Sequence, residues 1–151
     1  MGCCLSNEYM ESTLKSFQPG DVKEFSFEGL STKAKIISVY DGDTFRAIFY
    51  YRGEYIQMSC RALGYDSPEL KVSRENVDRT GLKELAFNAR NRFSEILHQA
   101  ELVRLVFSKN DMYGRPLVDI YVNGKHVNSM MIEEGHGKVY NGGSKTPWTI
   151  K

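Results

Sequence analysis

A mainly β fold with helices packed on it, an α+β domain, is predicted from three observations. Five runs have the alternation or the β-branched and aromatic content of strands, turn-forming clusters separate them, and one long segment repeats its apolar residues at helical spacing. Residues 34–39 and 44–50 form the first two runs, and Tyr40-Asp41-Gly42-Asp43 between them predicts a hairpin with carboxylates at its tip. Arg52-Gly53 turns the chain into a third run, 55–63, in which Ile56, Met58, Cys60 and Ala62 share one face and Arg61 takes the other. A polar loop follows Pro68 as far as Thr80. Leu82, Leu85, Ala86, Ala89, Phe93, Ile96 and Leu97 then mark an amphipathic helix. The fourth and fifth runs are 102–107 and 117–122, and Asn123-Gly124 after the fifth is a strong turn dipeptide. A second helix is expected with Val127, Met130 and Met131 inward, Asn128 as its cap and Gly135 as its stop.

Residues 1–30 hold a Gln18-Pro19-Gly20-Asp21 turn and no sustained periodicity, so they are read as a tether. The expected layout is a tether with a lipid-anchor signal at 1–30, a folded domain at 31–142 and a short tail at 143–151. A chain of 151 residues suits one domain, and 41% hydrophobic residues suffice for a packed core. The net charge of +1 argues against a broad basic coat for nucleic acid, so such contact is expected to be confined to a cleft.

The cysteines are Cys3, Cys4 and Cys60, an odd set with an adjacent pair that fits neither a disulfide framework nor a CxxC zinc site; a reducing compartment is the expectation. The sequence has no apolar run of bilayer length, and its first residues lack the regions of a secretory signal, so neither secretion by that route nor membrane spanning is expected. Met-Gly-Cys-Cys-Leu-Ser instead fits the acylation pattern M-G-x-x-x-[ST], with myristate on Gly2 and palmitate on Cys3 and Cys4. One acyl chain binds membranes marginally and two bind stably. The expected location is the cytoplasmic face of a membrane, in a eukaryotic cell or a virus infecting one. The plainer alternative is a disordered tail with two incidental thiols.

Chemistry concentrates in four pieces: Asp41-Gly42-Asp43-Thr44, Arg61, Asp66-Ser67-Pro68-Glu69 and Asp111-Met112-Tyr113-Gly114-Arg115. Carboxylates and a backbone carbonyl offer hard oxygen ligands to Ca²⁺ or Mg²⁺, and the two arginines offer planar forks that match phosphate oxygens. Together they suit phosphodiester cleavage. Singly, each has a simpler reading as a turn, a loop exit or a hairpin corner. His98, His126 and His136 lack metal-ligand spacing and receive no role. Lys71, Arg74, Arg79 and Lys83 could steer a polyanion, although a solvated loop explains them as well.

In order and spacing these pieces resemble the staphylococcal nuclease family, whose pattern runs DGDT, then R with DTPE a few residues on, then D-x-YGR. The resemblance covers roughly residues 33–140 and includes Val-Asn-Gly-Lys-His-Val-Asn and Glu-Gly-His-Gly-Lys-Val. It implies a five-stranded OB-fold barrel with two packed helices, acting on DNA or RNA as a monomer and leaving 3′-phosphates. By position, Asp43 and Asp66 match the carboxylates that bind Ca²⁺, and Ser67 matches the residue whose carbonyl joins them. Glu69 matches the residue that orients or deprotonates the attacking water, and Arg61 and Arg115 match the phosphate-binding pair. Tyr113 matches a tyrosine near the substrate phosphate, and Tyr140 is a candidate base-stacking platform. The chain departs from the family at Ser67, where threonine is usual, at Met112, where a basic residue is common, and at Asn141 and Gly143, which replace paired tyrosines. An alternative is a catalytically inactive OB module that binds nucleic acid or protein at membranes. Such copies lose site residues, whereas this chain keeps Asp43, Arg61, Asp66, Glu69 and Arg115.

Overall fold

The computed structural model describes residues 6–150. In chain order its elements are α1 (Asn7–Ser16), β1 (Ser31–Val39), β2 (Thr44–Tyr51), β3 (Glu54–Ala62), β4 (Tyr65–Asp66), α2 (Arg79–Leu97), β5 (Val103–Asn110), β6 (Pro116–Val122), β7 (Lys125–His126), α3 (Val127–Glu133) and β8 (Lys138–Val139). Strands β1, β2, β3, β5 and β6 are the five expected runs. They join antiparallel as β3-β2-β1-β5-β6, and a parallel pairing of Arg61 with Leu117 and Ala62 with Val118 closes the ring. The result is the five-stranded mixed barrel of an OB fold, closed over only two residues of β3 and two of β6.

Alternate residues of each strand fill the barrel. Phe45, Ala47 and Phe49 of β2, Leu105 of β5 and Val118 and Ile120 of β6 are all buried. α2 covers one end of this core with Phe93, Ile96 and Leu97, and Phe93 meets Phe45 edge to face at 5.9 Å. Its Ala89 also supports the β1–β2 hairpin. A Cβ on Gly42 would lie 2.7 Å from the Ser67 Cβ and 2.9 Å from the Ala89 Cβ, so only glycine lets the carboxylate-bearing turn sit this low on the helix.

The structure departs from the sequence reading at three places. Residues 7–16 form α1, capped by Ser6 Oγ, which accepts from the Tyr9 amide at 3.3 Å; none of its residues is buried. The segment after it is no free tether either, because Phe27 is buried and packs against Phe49, Tyr51 and Phe107 at 4.9–5.4 Å between ring centroids. Its neighbour Gly29 donates its amide to the Phe107 carbonyl at 3.0 Å, so the barrel core begins before β1.

Asn128 is not the cap of α3, whose N-cap position is His126. Its buried amide accepts from the Ile120 N–H at 2.9 Å and donates to the carbonyls of Leu63 (2.9 Å) and Val118 (3.0 Å). Three backbone groups outside the helix that need partners outweigh one local cap. The expected helix stop does occur, with Gly135 at φ +81°.

Candidate active site

Strand register assembles the site. Pairing of Thr44 with Arg61 sets the β3 arginine beside the β1–β2 hairpin, and the Ala62 amide donates to the Asp43 carbonyl at 2.8 Å. The short β4–β8 pair then holds Asp66 opposite Lys138. Asp43 and Asp66 are only 3% and 5% exposed, and Arg61 is 9% exposed. The Arg61 Nη2 bridges the two carboxylates, 3.3 Å from Asp43 Oδ2 and 3.1 Å from Asp66 Oδ1. Asp43 is fixed further by the Ser67 amide, 3.0 Å from Oδ2, and by the Thr44 hydroxyl, 2.9 Å from Oδ1. Beneath them the Tyr65 hydroxyl donates to the Gly42 carbonyl at 2.7 Å.

Burial, and then the neighbouring Asp43 carboxylate, push the Asp41 carboxyl up from 3.8 to about 7. Burial alone would lower the pKa of Arg61, but Asp43 and Asp66 outweigh it and hold the guanidinium charged.

Glu69 projects from the loop after β4 with its side chain 63% exposed, and the Lys145 ammonium lies 3.0 Å from its Oε1 and 3.0 Å from Asp66 Oδ1. Arg115 enters from the β5–β6 corner. Asp111 Oδ2 accepts from its Nε at 2.8 Å and Asp111 Oδ1 accepts from its backbone amide at 2.9 Å, so one edge of the guanidinium is fixed and both Nη groups stay available. The Tyr113 ring lies 5.6 Å from that guanidinium.

Asp43, Arg61, Asp66, Glu69, Tyr113 and Arg115 thus line one cleft of about 240 Å³. Ser67 reaches it only through its neighbours: its amide fixes Asp43, while its buried hydroxyl has no hydrogen-bond partner among the described residues. Tyr140 does not line this cleft. It stands in the adjoining cavity, its ring centroid 5.8 Å from the Arg61 guanidinium and its hydroxyl donating to the Gly143 carbonyl at 3.0 Å. Of the loop cations, Lys71 lines the cleft, whereas Arg79 turns back to the Val72 carbonyl. Gly2, Cys3 and Cys4 lie outside the described residues.

Two members escaped the sequence reading. Asp41 was visible in the Asp-Gly-Asp motif, but its environment was not. Lys145 comes from a segment without periodicity, and no local signal marks it. It is placed by the tail, where Lys138 Nζ donates to the Pro147 carbonyl at 2.9 Å and a Cβ on Gly81 would meet Ile150 at 2.6 Å.

Among the described residues no three His, Cys, Asp or Glu side chains converge as a ready cation cage. The donor chemistry nevertheless fits a hard divalent ion, because two buried carboxylates face one cleft, with the Asp41 carboxyl beside them and the Ser67 carbonyl next in the chain. Calcium takes six to eight oxygens and accepts backbone carbonyls and water as well as carboxylates, so two side chains are compatible with a site.

Residues 59–148 match the family model described as staphylococcal nuclease homologue. Endonuclease YncB of Bacillus subtilis (strain 168) is 29% identical over 137 residues, which span 89% of this chain and 58% of that protein. An uncharacterized protein of Bacillus anthracis is 32% identical over 114 residues, 73% of this chain and 49% of that protein. The chain therefore spans about half the length of the curated relatives it matches.

Proposed function

This chain belongs to the staphylococcal nuclease family, and from that premise we propose that it is a calcium-dependent phosphodiesterase that hydrolyses DNA or RNA and leaves 3′-phosphate ends. The observation that carries this reading is the convergence of Asp43, Arg61, Asp66, Glu69 and Arg115 on one cleft. Asp43, Asp66 and the Ser67 carbonyl are the groups to hold calcium, which when bound neutralises phosphate charge and holds water. Glu69 accepts the proton of the attacking water; its exposure and its single lysine partner leave one carboxylate oxygen for that task. The water oxygen bonds to phosphorus in line with the departing 5′-oxygen, which takes a proton from solvent water as its bond to phosphorus breaks, and Glu69 returns its proton to solvent. Arg115, held on one edge by Asp111, presents its free edge to the phosphate oxygens, and Arg61 supplies a second positive charge from between the carboxylates. Such donors act most where charge builds in the transition state.

Tyr113 meets the sugar-phosphate, a reading its position beside Arg115 and its 78% exposure support, whereas Tyr140 serves an adjacent nucleotide by stacking. The M-G-x-x-x-S start and the Cys3-Cys4 pair support tethering of the chain to a membrane by acylation at Gly2, Cys3 and Cys4, and no described helix is long and apolar enough to cross one. Hydrolysis of an end-labelled oligonucleotide, with and without a chelator, tests the catalytic reading. Cleavage with calcium and none in chelator is expected; binding without turnover would move the chain to the inactive-module alternative. For the tether, Gly2→Ala is expected to release the protein from membranes in a eukaryotic cell, and absence of any acyl chain by mass spectrometry would refute it.

A further inference from the structure

The segment after β8 returns to the cleft and is held on both sides of Lys145. Upstream, the Tyr140 amide donates to the Gly64 carbonyl at 2.9 Å, and the Tyr140 hydroxyl donates to the Gly143 carbonyl at 3.0 Å. Gly142 and Gly143, at φ +100° and +81°, supply the left-handed turn between that anchor and Lys145. Downstream, Lys138 Nζ donates to the Pro147 carbonyl at 2.9 Å and lies 4.6 Å from the Trp148 ring centroid, while Ile150 packs on Gly81 of α2. Between these anchors Lys145 lines the cleft, and its ammonium lies 3.0 Å from both Glu69 Oε1 and Asp66 Oδ1. Asp66 Oδ1 also accepts from Arg61 Nη2 at 3.1 Å. The other oxygens of the pair, Asp66 Oδ2 and Glu69 Oε2, accept no protein hydrogen bond among the described residues.

We propose that Lys145 is a positioning residue of hydrolysis, its ammonium clamping the base Glu69 to the metal ligand Asp66. The inference rests on the hydrolytic reading above and gives that reaction a further working residue. The Glu69 side chain is 63% exposed, and Lys145 is its only ionic partner among the described residues. Without that partner a long exposed carboxylate samples many rotamers, few of which set an oxygen within reach of the attacking water. An ammonium shared with a buried aspartate removes this freedom, because Asp66 is itself fixed by Arg61 and by the β4–β8 pairing. One oxygen of each carboxylate is taken and the other is left, so the clamp does not consume the atom that each needs for its task. Lys71 cannot substitute. It lines the cleft but lies two residues from Glu69 on the same loop, so it moves with the base instead of holding it. An error of about 1 Å in such a placement can cost about 10²-fold in rate.

The test compares the full chain as wild type, Lys145→Met, Glu69→Gln and the double variant on an end-labelled oligonucleotide, at calcium saturating for each protein. Lys145→Met should lower kcat by about 10- to 10²-fold with KM unchanged, the signature of lost transition-state geometry and not of lost binding. In the Glu69→Gln background the same change should cost no more than about twofold, because no base remains to be held. Calcium titrated calorimetrically into the proteins without nucleic acid should bind Lys145→Met no more than about fivefold tighter than wild type, the effect of one partly exposed charge. Wild-type kcat in Lys145→Met overturns the proposal, as does an undiminished loss in the Glu69→Gln background. A raised KM at unchanged kcat would assign Lys145 to the substrate phosphate and overturn the clamp. Calcium bound about tenfold tighter or more, with kcat at or above wild type, would make the ammonium a mere stand-in for the ion and overturn it too. If wild type cleaves nothing, the hydrolytic reading fails and the clamp with it, whereas an active wild type keeps that reading and lets Lys145→Met decide the clamp alone. A melting temperature within a few degrees of wild type shows that the variants fold.

Discussion

The cleft and the outer face of β1–β3 are built from the same strands and use charge in opposite ways. In the cleft, Asp43, Arg61 and Asp66 are nearly sealed from water and bonded to one another. On the outer face, Lys33, Lys35 and Arg46 stand in solvent with no ionic partner among the described residues. The difference teaches where energy is at stake. A buried charge that loses its partner leaves another charge unsolvated, whereas an exposed one only returns to water. The cleft should therefore be intolerant and chemically specific, and the face tolerant and generic.

The largest contrast is expected in turnover. Glu69→Gln and Arg115→Ala should each lower single-turnover hydrolysis by about 10²–10³-fold with the barrel intact by circular dichroism. Wild-type rates in either variant would remove that residue from the chemistry. In stability, Arg61→Ala should cost about 3–5 kcal/mol in chelator, because Asp43 and Asp66 lose the guanidinium between them. Urea melts measure this, and added calcium should restore part of the loss. A cost no larger than that of a surface substitution would show that the carboxylates are less isolated than their burial implies.

A smaller effect should appear with pH. The folded carboxyl of Asp41 titrates near 7 against 3.8 as its ordinary value, so between those limits the folded protein holds a proton that the unfolded chain has lost. Metal-free stability should fall as pH rises through that interval, and the folded state carries the full cost above pH 7. Asp41→Asn should flatten this part of the profile and be the more stable form above pH 7, as read from urea midpoints in chelator. Parallel profiles for the two proteins would contradict a carboxylate-crowded cleft. The smallest effect belongs to the outer face, where Lys35→Ala should change stability by no more than about 0.5 kcal/mol. A larger loss would mean that Lys35 has a structural partner and would erase the contrast between the regions.

The sequence by itself determined what depends on neighbours a few residues apart. Alternation and turn dipeptides marked the five strands and the Asn123-Gly124 turn, helical spacing marked α2 and α3, and motif order marked Asp43, Arg61, Asp66, Glu69 and Arg115. Each follows from a local period or a fixed string, because side-chain direction repeats every two residues in a strand and every 3.6 in a helix. Only the tertiary structure decided how distant segments meet. It drew the Asn128 amide to the Leu63 carbonyl 65 positions away, instead of leaving it to cap α3. It carried Lys145 from an aperiodic tail to Glu69, 76 positions upstream, put Phe27 of the supposed tether into the core, and left Tyr140 beside the cleft rather than within it. It also gathered scattered cations onto one sheet face that the total charge had averaged away. Such placements have no signature in a short window, because they are set by barrel closure and by the need of buried polar groups for partners wherever along the chain those partners lie.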